Sequence, residues 1–511
     1  MRKYICLIFA LFILFQVKAQ HMDITWQQCL THVQDYSPYN NICNFNNGYL
    51  ITADIFHYNA DSVYCRDTWL SYADSTGNPI WEKFYGGSLG DVPQFILPIN
   101  NDFFYLINIS NSSDGDVLCD IDSESNDIWI AKMNSVGEII WQTCYGSAGP
   151  DDPRAAIVTP DNGLLIMSRI YEGGGDVSQY YGIYDNWIIK LDSTGVLEWE
   201  TTLGTPEREN GHKLLYTSFN TYIALCAVGG NGGVSECTLL NDPSLGKDVW
   251  LVELDLNGNI INQECCGGSM HDLAWDIVET DIGYTILSKT ESNDHDVSGN
   301  HGGDDFWLLG INYEREIVWQ KCLGGYSDDT PIFLSLNEDG TYIVIGDTDS
   351  DDGDVSGNHS YWNNDLWVVN ADSVGNVIWQ QCIGGKGAEW FFGGNTVTKK
   401  NDYTYAMVSL TSGSDNEDGD VECEEWPTTG IFYPWAIEIK DCNHYAPAQP
   451  QQPTGKDTLC VNTDNITTYS TVHANNAWYY EWQLQPEEAG ILSQDSLTTT
   501  INWSTTYEGP A

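Results

Sequence analysis

The stretch DIWIAKMNSVGEIIWQTCYG, residues 127–146, returns in altered form along most of the chain. It reads DTWLSYADSTGNPIWEKFYGG from Asp67, DNWIIKLDSTGVLEWETTLG from Asp185 and DVWLVELDLNGNIINQECCGG from Asp248. Further copies are DFWLLGINYEREIVWQKCLGG from Asp305 and DLWVVNADSVGNVIWQQCIGG from Asp365. The leading tryptophan falls at Trp69, Trp129, Trp187, Trp250, Trp307 and Trp367, with a seventh at Trp435, a mean spacing of about 61 residues. Within each unit, short apolar runs separated by Asp, Asn, Ser and Gly have the length and punctuation of strands. In the unit containing Trp307 these runs are DLAWDIVET, GYTILS, FWLLGI and EIVWQKCL. The turn before the last run is usually Asp-Ser-x-Gly, as at Asp74 to Gly77, where aspartate bonds backbone amides and glycine supplies a positive φ. Four strands joined by such turns make one antiparallel propeller blade.

The ends of the array predict closure. The stretch DITWQQCL near the N-terminus is a fourth strand without the other three, and the last unit stops after WAIEIK, a third strand. Together they complete one blade, which leaves no open sheet edge. The expected fold is therefore all-β, a seven-bladed β-propeller over 22–441 closed by the N-terminal strand.

The flanks read differently. Residues 1–19 carry a basic start and an apolar run, the layout of a signal peptide, and no later stretch is apolar enough to span a bilayer. Residues 442–455 form a Pro/Gln-rich linker, and 456–511 alternate like a β-sandwich that stops short of a full domain. With 73 acidic against 20 basic residues the formal charge is −53, which repels nucleic acid and favours cations, cationic proteins or neutral glycans. Five cysteines, Cys29, Cys144, Cys265, Cys322 and Cys382, recur at one position and read as small buried apolar groups. Cys226 with Cys237 and Cys43 with Cys65 read as better disulfide candidates.

Strand order places two acidic segments on one rim: the link between strands two and three, and the Gly-Gly-Ser-x-x-Asp link between blades. The richest copy of the first is DTDSDDGDVSGNH, residues 347–359. Asp349, Asp351, Asp352 and Asp354 around Gly353 offer carboxylates to a hard cation, and calcium is the expected metal if one binds. The spacing departs from the EF-hand order, and solvated Asp-Gly turns are the plainer reading. His301 and His359 occupy equivalent places and suit loop hydrogen bonding better than zinc. Glu207, Arg208, Glu209 and Glu389 beside Trp390 break the repeat and are the residues to test for catalysis. Trp362, Trp390 and Trp426 fall off the core positions, where a sugar-stacking platform and chance placement are equal readings.

Asp-x-Trp, then Asp-Ser-x-Gly, then Trp-x-x-x-x-Gly-Gly, with loops like DGDVSGNHS, resembles the secreted β-propeller repeat proteins of the Bacteroidota. The tail from PTGKDTLC to INWSTTYEGPA is similar to the PKD-like domain that often follows them. The resemblance implies surface or extracellular placement and, for most members, no established activity. Members commonly end in a type IX secretion sorting domain; none precedes Ala511, so the chain reads as cut inside its last domain. The leading expectation is a monomeric, exported, non-catalytic binding or adhesion scaffold for an extracellular protein or glycan. Its alternatives are a glycan-active hydrolase or lyase and a passive cell-surface structural protein.

Overall fold

The computed structural model describes residues 22–30, 39–58, 64–119, 125–237, 246–359, 363–391, 394–412, 420–422, 433–441, 466–470, 490–495 and 498–503. Every regular element among them is a strand. No helix among the described residues is long and apolar enough to cross a membrane. The chain divides into two compact units, one of them 24–440.

Six sheets of that unit are blades of four consecutive antiparallel strands, spanning 40–85, 91–145, 151–203, 210–266, 272–323 and 329–383. The seventh joins strands from 389–441 to the N-terminal strand Met22–Cys29, which lies beside Tyr433–Asp441. Its innermost strand is broken into Glu389–Trp390 and Val397–Asn401, both paired with Thr404–Thr411. The first strand of every blade neighbours the first strands of the blades on either side, and those of blades seven and one also meet. The array is therefore a closed seven-bladed propeller, as the partial units at its ends predict.

Packing explains why the repeat carries these residues. The seven strand-three tryptophans are fully buried, and five of their indole N–H groups reach a Gln or Glu thirteen residues later on strand four. Trp435 makes the same bond at 3.0 Å to Gln27, so the chain termini reproduce a contact that elsewhere is local. Apolar clusters bridge adjacent blades: Leu287, Phe306 and Leu308 of blade five pack against Val344, Trp367 and Val369 of blade six. Ile42, Tyr49 and Trp69 of blade one meet Ala406, Val408 and Ala436 of blade seven in the same way.

The Asp-Ser-x-Gly turn closes as its sequence suggests. Asp74 accepts the amides of Thr76 and Asn78 at 2.8 and 3.0 Å, and the register shifts at the adjoining bulge. Gly77 adopts φ +79°, and a Cβ there would lie 2.6 Å from the Trp26 indole. Glycine thus answers both a turn and an incoming tryptophan from the next sheet of the ring.

In the tail, Ile466–Ser470 and Gly490–Asp495 flank Thr498–Trp503 in an antiparallel sheet. The signal peptide and the linker expected at 1–19 and 442–455 lie outside the described residues, apart from the three tail strands much of 456–511 does too.

Candidate functional site

Blade six shows how the acidic segments are used. The link 324–328 enters its first strand, and the acidic stretch joins its second and third strands. Asp329 opens the first strand and is fully buried. Its Oδ2 accepts the Gly325 amide at 2.8 Å and the Ser350 hydroxyl at 3.1 Å, while Oδ1 accepts the Thr348 hydroxyl. Ser350 Oγ in turn accepts the Ser327 amide at 3.1 Å. From the loop, Asp352 Oδ1 accepts the Tyr326 amide at 2.8 Å, and the Asp354 amide donates to the Gly324 carbonyl at 2.9 Å. Gly353 between them sits at φ +64°, and a Cβ would meet the Gly324 oxygen at 2.4 Å. Val355 plugs the apolar layer below. Link and loop are locked into one hydrogen-bonded latch.

The latch recurs. In blade two Asp91 binds the Gly87 amide and the hydroxyls of Ser110 and Ser112, with Asp114 on the Ser88 amide at 2.7 Å. In blade five Asp272, Thr290, Ser292 and Asp294 repeat it against Gly268 and Ser269. Glu209 and Glu389, expected to be off the repeat, occupy the same place with a longer side chain. Glu209 accepts the Thr205 amide at 2.8 Å, and Glu389 accepts the Gly385 amide at 3.0 Å and the Thr411 hydroxyl at 2.6 Å. Both are buried latch acids rather than exposed catalytic candidates. Glu207 contributes its backbone carbonyl, which accepts the Ile183 amide at 2.8 Å.

These acids hold their protons unusually well. Burial first, then the aspartates at neighbouring strand starts, lifts Asp67 and Asp248 to about 7. Burial dominates again at Asp151, lifted to about 8, and at Asp329, Glu209 and Glu389, each lifted to about 7 against the pull of their hydrogen bonds.

The four expected calcium ligands are dispersed by the latch. Asp352 faces the link, Asp351 accepts the Gly357 amide at 3.1 Å within its own loop, and Asp354 lies 3.8 Å from His301 of blade five. Asp349 is raised by burial and by Asp328. Among the described residues no group of three or more His, Cys, Asp or Glu is arranged to hold a metal ion. His301 and His359 bond the aspartates that open the third strands: each offers its amide at 3.0 Å and its Nδ1, at 2.8 and 2.5 Å, to Asp305 and Asp365. Trp390 is half-buried in the short strand of blade seven, whereas Trp362 and Trp426 lie outside the described residues.

The cysteines correct the sequence reading. Cys144 pairs with Cys119 and Cys265 with Cys237, while Cys29 is also disulfide-bonded. Cys43, Cys65 and Cys226 are buried thiols, and the two pairings expected of them do not form. Each observed pairing is made within one blade, where strand-four Cys144 and Cys265 face the loop between strands two and three. Cys119 follows Asp116-Val117-Leu118 and Cys237 follows Val234-Ser235-Glu236; blades five and six carry Gly299 and Gly357 there, and Cys322 and Cys382 stay free. A Cys three residues past the latch turn was the available signal.

A second feature has no signal in any sequence window. Arg66, Arg154, Arg169, Arg208 and Lys247, from blades one, three and four, collect at the inner mouth of the same rim.

No protein-family model and no curated protein matches the chain. Among solved structures it is similar to a protein of unknown function from Bacteroides caccae, at 13% identity over 61% of this chain and 89% of that one, with a TM-score of 0.33. A member of the duf4221 family from Bacteroides vulgatus matches at 10% identity, 83% and 100% coverage and a TM-score of 0.33. The Pan2 WD40 domain of Neurospora crassa matches at 10% identity, 82% and 96% coverage and a TM-score of 0.45. Likeness of this order carries nothing about function.

Proposed function

We propose that this chain is an exported, non-catalytic scaffold that binds an extracellular partner at its latched rim. The observation that carries this reading is the repetition of one hydrogen-bonded latch in blades two, five and six, with Glu versions in four and seven. Loops tied this way lose little further entropy when a partner docks, which favours binding by a preformed surface. Repetition also works against catalysis, since the strand-start carboxylates play one structural role in each of these five blades. The Bacteroidota resemblance, with its PKD-like tail and type IX export, belongs to the same reading, as does placement at the cell surface. Calcium at the 349–354 loop would share Asp351 and Asp352 with the Gly357 and Tyr326 amides that their Oδ1 atoms already accept.

The test is a binding and turnover screen of the purified protein against extracellular polysaccharides and surface proteins. Saturable binding without product formation is expected. Turnover that disappears in Glu207→Gln while the melting temperature is unchanged would replace the scaffold with a glycan-active enzyme.

A further inference from the structure

The chain has only 20 basic residues against 73 acidic ones, yet five of the basic ones converge on one sector of the channel mouth. Asp152 takes Arg169 at 2.6 Å and Arg154 at 3.4 Å through the same oxygen, so one carboxylate serves two guanidinium groups. Arg66 is matched by Asp54. Among the described residues Arg208 and Lys247 make no ion pair; Arg208 lies 5.2 Å over the Tyr184 ring, which Arg169 also covers at 5.5 Å. The Glu209 carboxyl nearby is held by Thr205 and keeps its proton to about 7. Arg154, Arg169, Arg208 and Lys247 thus share little compensating charge.

The neighbours report that excess. His212, on the first strand of blade four with its ring tilted 5.3 Å from that of Trp275, is pushed down to about 3 by burial and by Arg154, Lys247 and Arg169. Lys247 itself falls to about 8, through burial and the fields of Arg169, Arg208 and Arg154, against the pull of Glu209. Two buried nitrogens of the cluster, Arg169 Nε and His212 Nε2, have no hydrogen-bond partner among the described residues. Tyr39, at the start of blade one, feels both Asp152 and Arg154 of blade three, so blades one and three face the same sector.

We propose that Arg154, Arg169, Arg208, His212 and Lys247 form a binding site for a small oxyanion, a carboxylate, sulfate or phosphate group on a compact extracellular ligand. Guanidinium groups present paired donors that match such oxygens, and in a half-buried mouth each charge-assisted bond is stronger than in water. A polyanion is disfavoured, because the net charge of −53 repels any chain long enough to leave the cationic sector. This deepens the scaffold reading by assigning ligand chemistry to one part of the rim, and it rests on that reading.

The experiment is calorimetric titration of the full chain at low salt with glucuronate, sulfate, phosphate and neutral glucose. At least one of the three anions should saturate a single site while glucose does not; whether glucuronate or the inorganic ions bind tighter separates a sugar acid from a free anion. Arg208→Gln and Lys247→Gln, at exposed and half-buried positions, should each weaken binding by about tenfold while leaving the melting temperature unchanged. In parallel, the His212 ring titration followed by NMR should move upward when the anion is bound. Absence of saturable binding, or binding indifferent to both substitutions and silent at His212, would overturn the site. Either result would leave the scaffold reading intact, since that falls only to turnover or to a rim that binds nothing.

Discussion

Blades six and four share a four-strand plan and treat charge in opposite ways. In blade six the loop carries Asp351, Asp352 and Asp354, the first two with carboxylates on backbone amides, and the latch acid Asp329 collects three donors. In blade four the corresponding turn is Gly232-Gly233-Val234, without an acid, and the loop is tied to strand four by Cys237–Cys265. The second of these leaves the adjacent mouth free to accumulate Arg208 and Lys247. Carboxylates on the rim are scaffolding wherever hydrogen bonds hold the loop; blade two keeps its latch acids beside the Cys119–Cys144 bond, so a covalent tie accompanies the change of charge in blade four without requiring it.

The most damaging way to break the comparison is Asp329→Ala. Three donors in a dry site would lose their acceptor, a cost of about 4 kcal/mol read as a lower urea midpoint. Glu209→Ala removes fewer bonds and should cost less. Next comes Cys237→Ser, which opens the covalent tie of blade four. A loss of about 3 kcal/mol is expected, and dithiothreitol should lower the parent protein by more than this, because it also opens Cys119–Cys144, and the variant by that remainder alone. Gly353→Ala tests the turn of blade six: a left-handed backbone and a Cβ 2.4 Å from the Gly324 oxygen predict a loss of about 2 kcal/mol in the same assay.

The smallest effect is a response to pH shared by both blades. Asp329 and Glu209 are lifted to about 7 in the folded chain, above the ordinary carboxylate range. The folded state therefore binds protons more tightly than the unfolded one, and its advantage, complete below about pH 4, declines as pH rises through about 7. Melting temperature should fall steadily between pH 5 and pH 8, and Asp329→Asn should flatten that slope.

Much of the fold was legible in the sequence because it rests on spacing. Tryptophans about 61 residues apart, a glycine at the end of each Asp-Ser-x-Gly turn and two partial units at the ends are enough to call for a ring. The site was less legible. Glu209 and Glu389 looked exceptional by residue type, though each stands four residues after the residue whose amide it accepts, as Asp329 stands after Gly325. Cys119 and Cys237 looked irregular because their partners recur while they do not. The cationic mouth was out of reach, since Arg154 and Arg169 of blade three meet Arg208, Lys247 and the side of Arg66 only when separate blades pack around one axis.

The central claim is that rim carboxylates hold the loops through backbone amides. Amide hydrogen exchange at Gly325 and Tyr326, measured with excess EDTA and again with millimolar calcium, tests it directly. Slow exchange in both conditions, lost at Tyr326 in Asp352→Ala, is the predicted result. Protection that appears only when calcium is added would show that an ion, and not the latch, orders the rim.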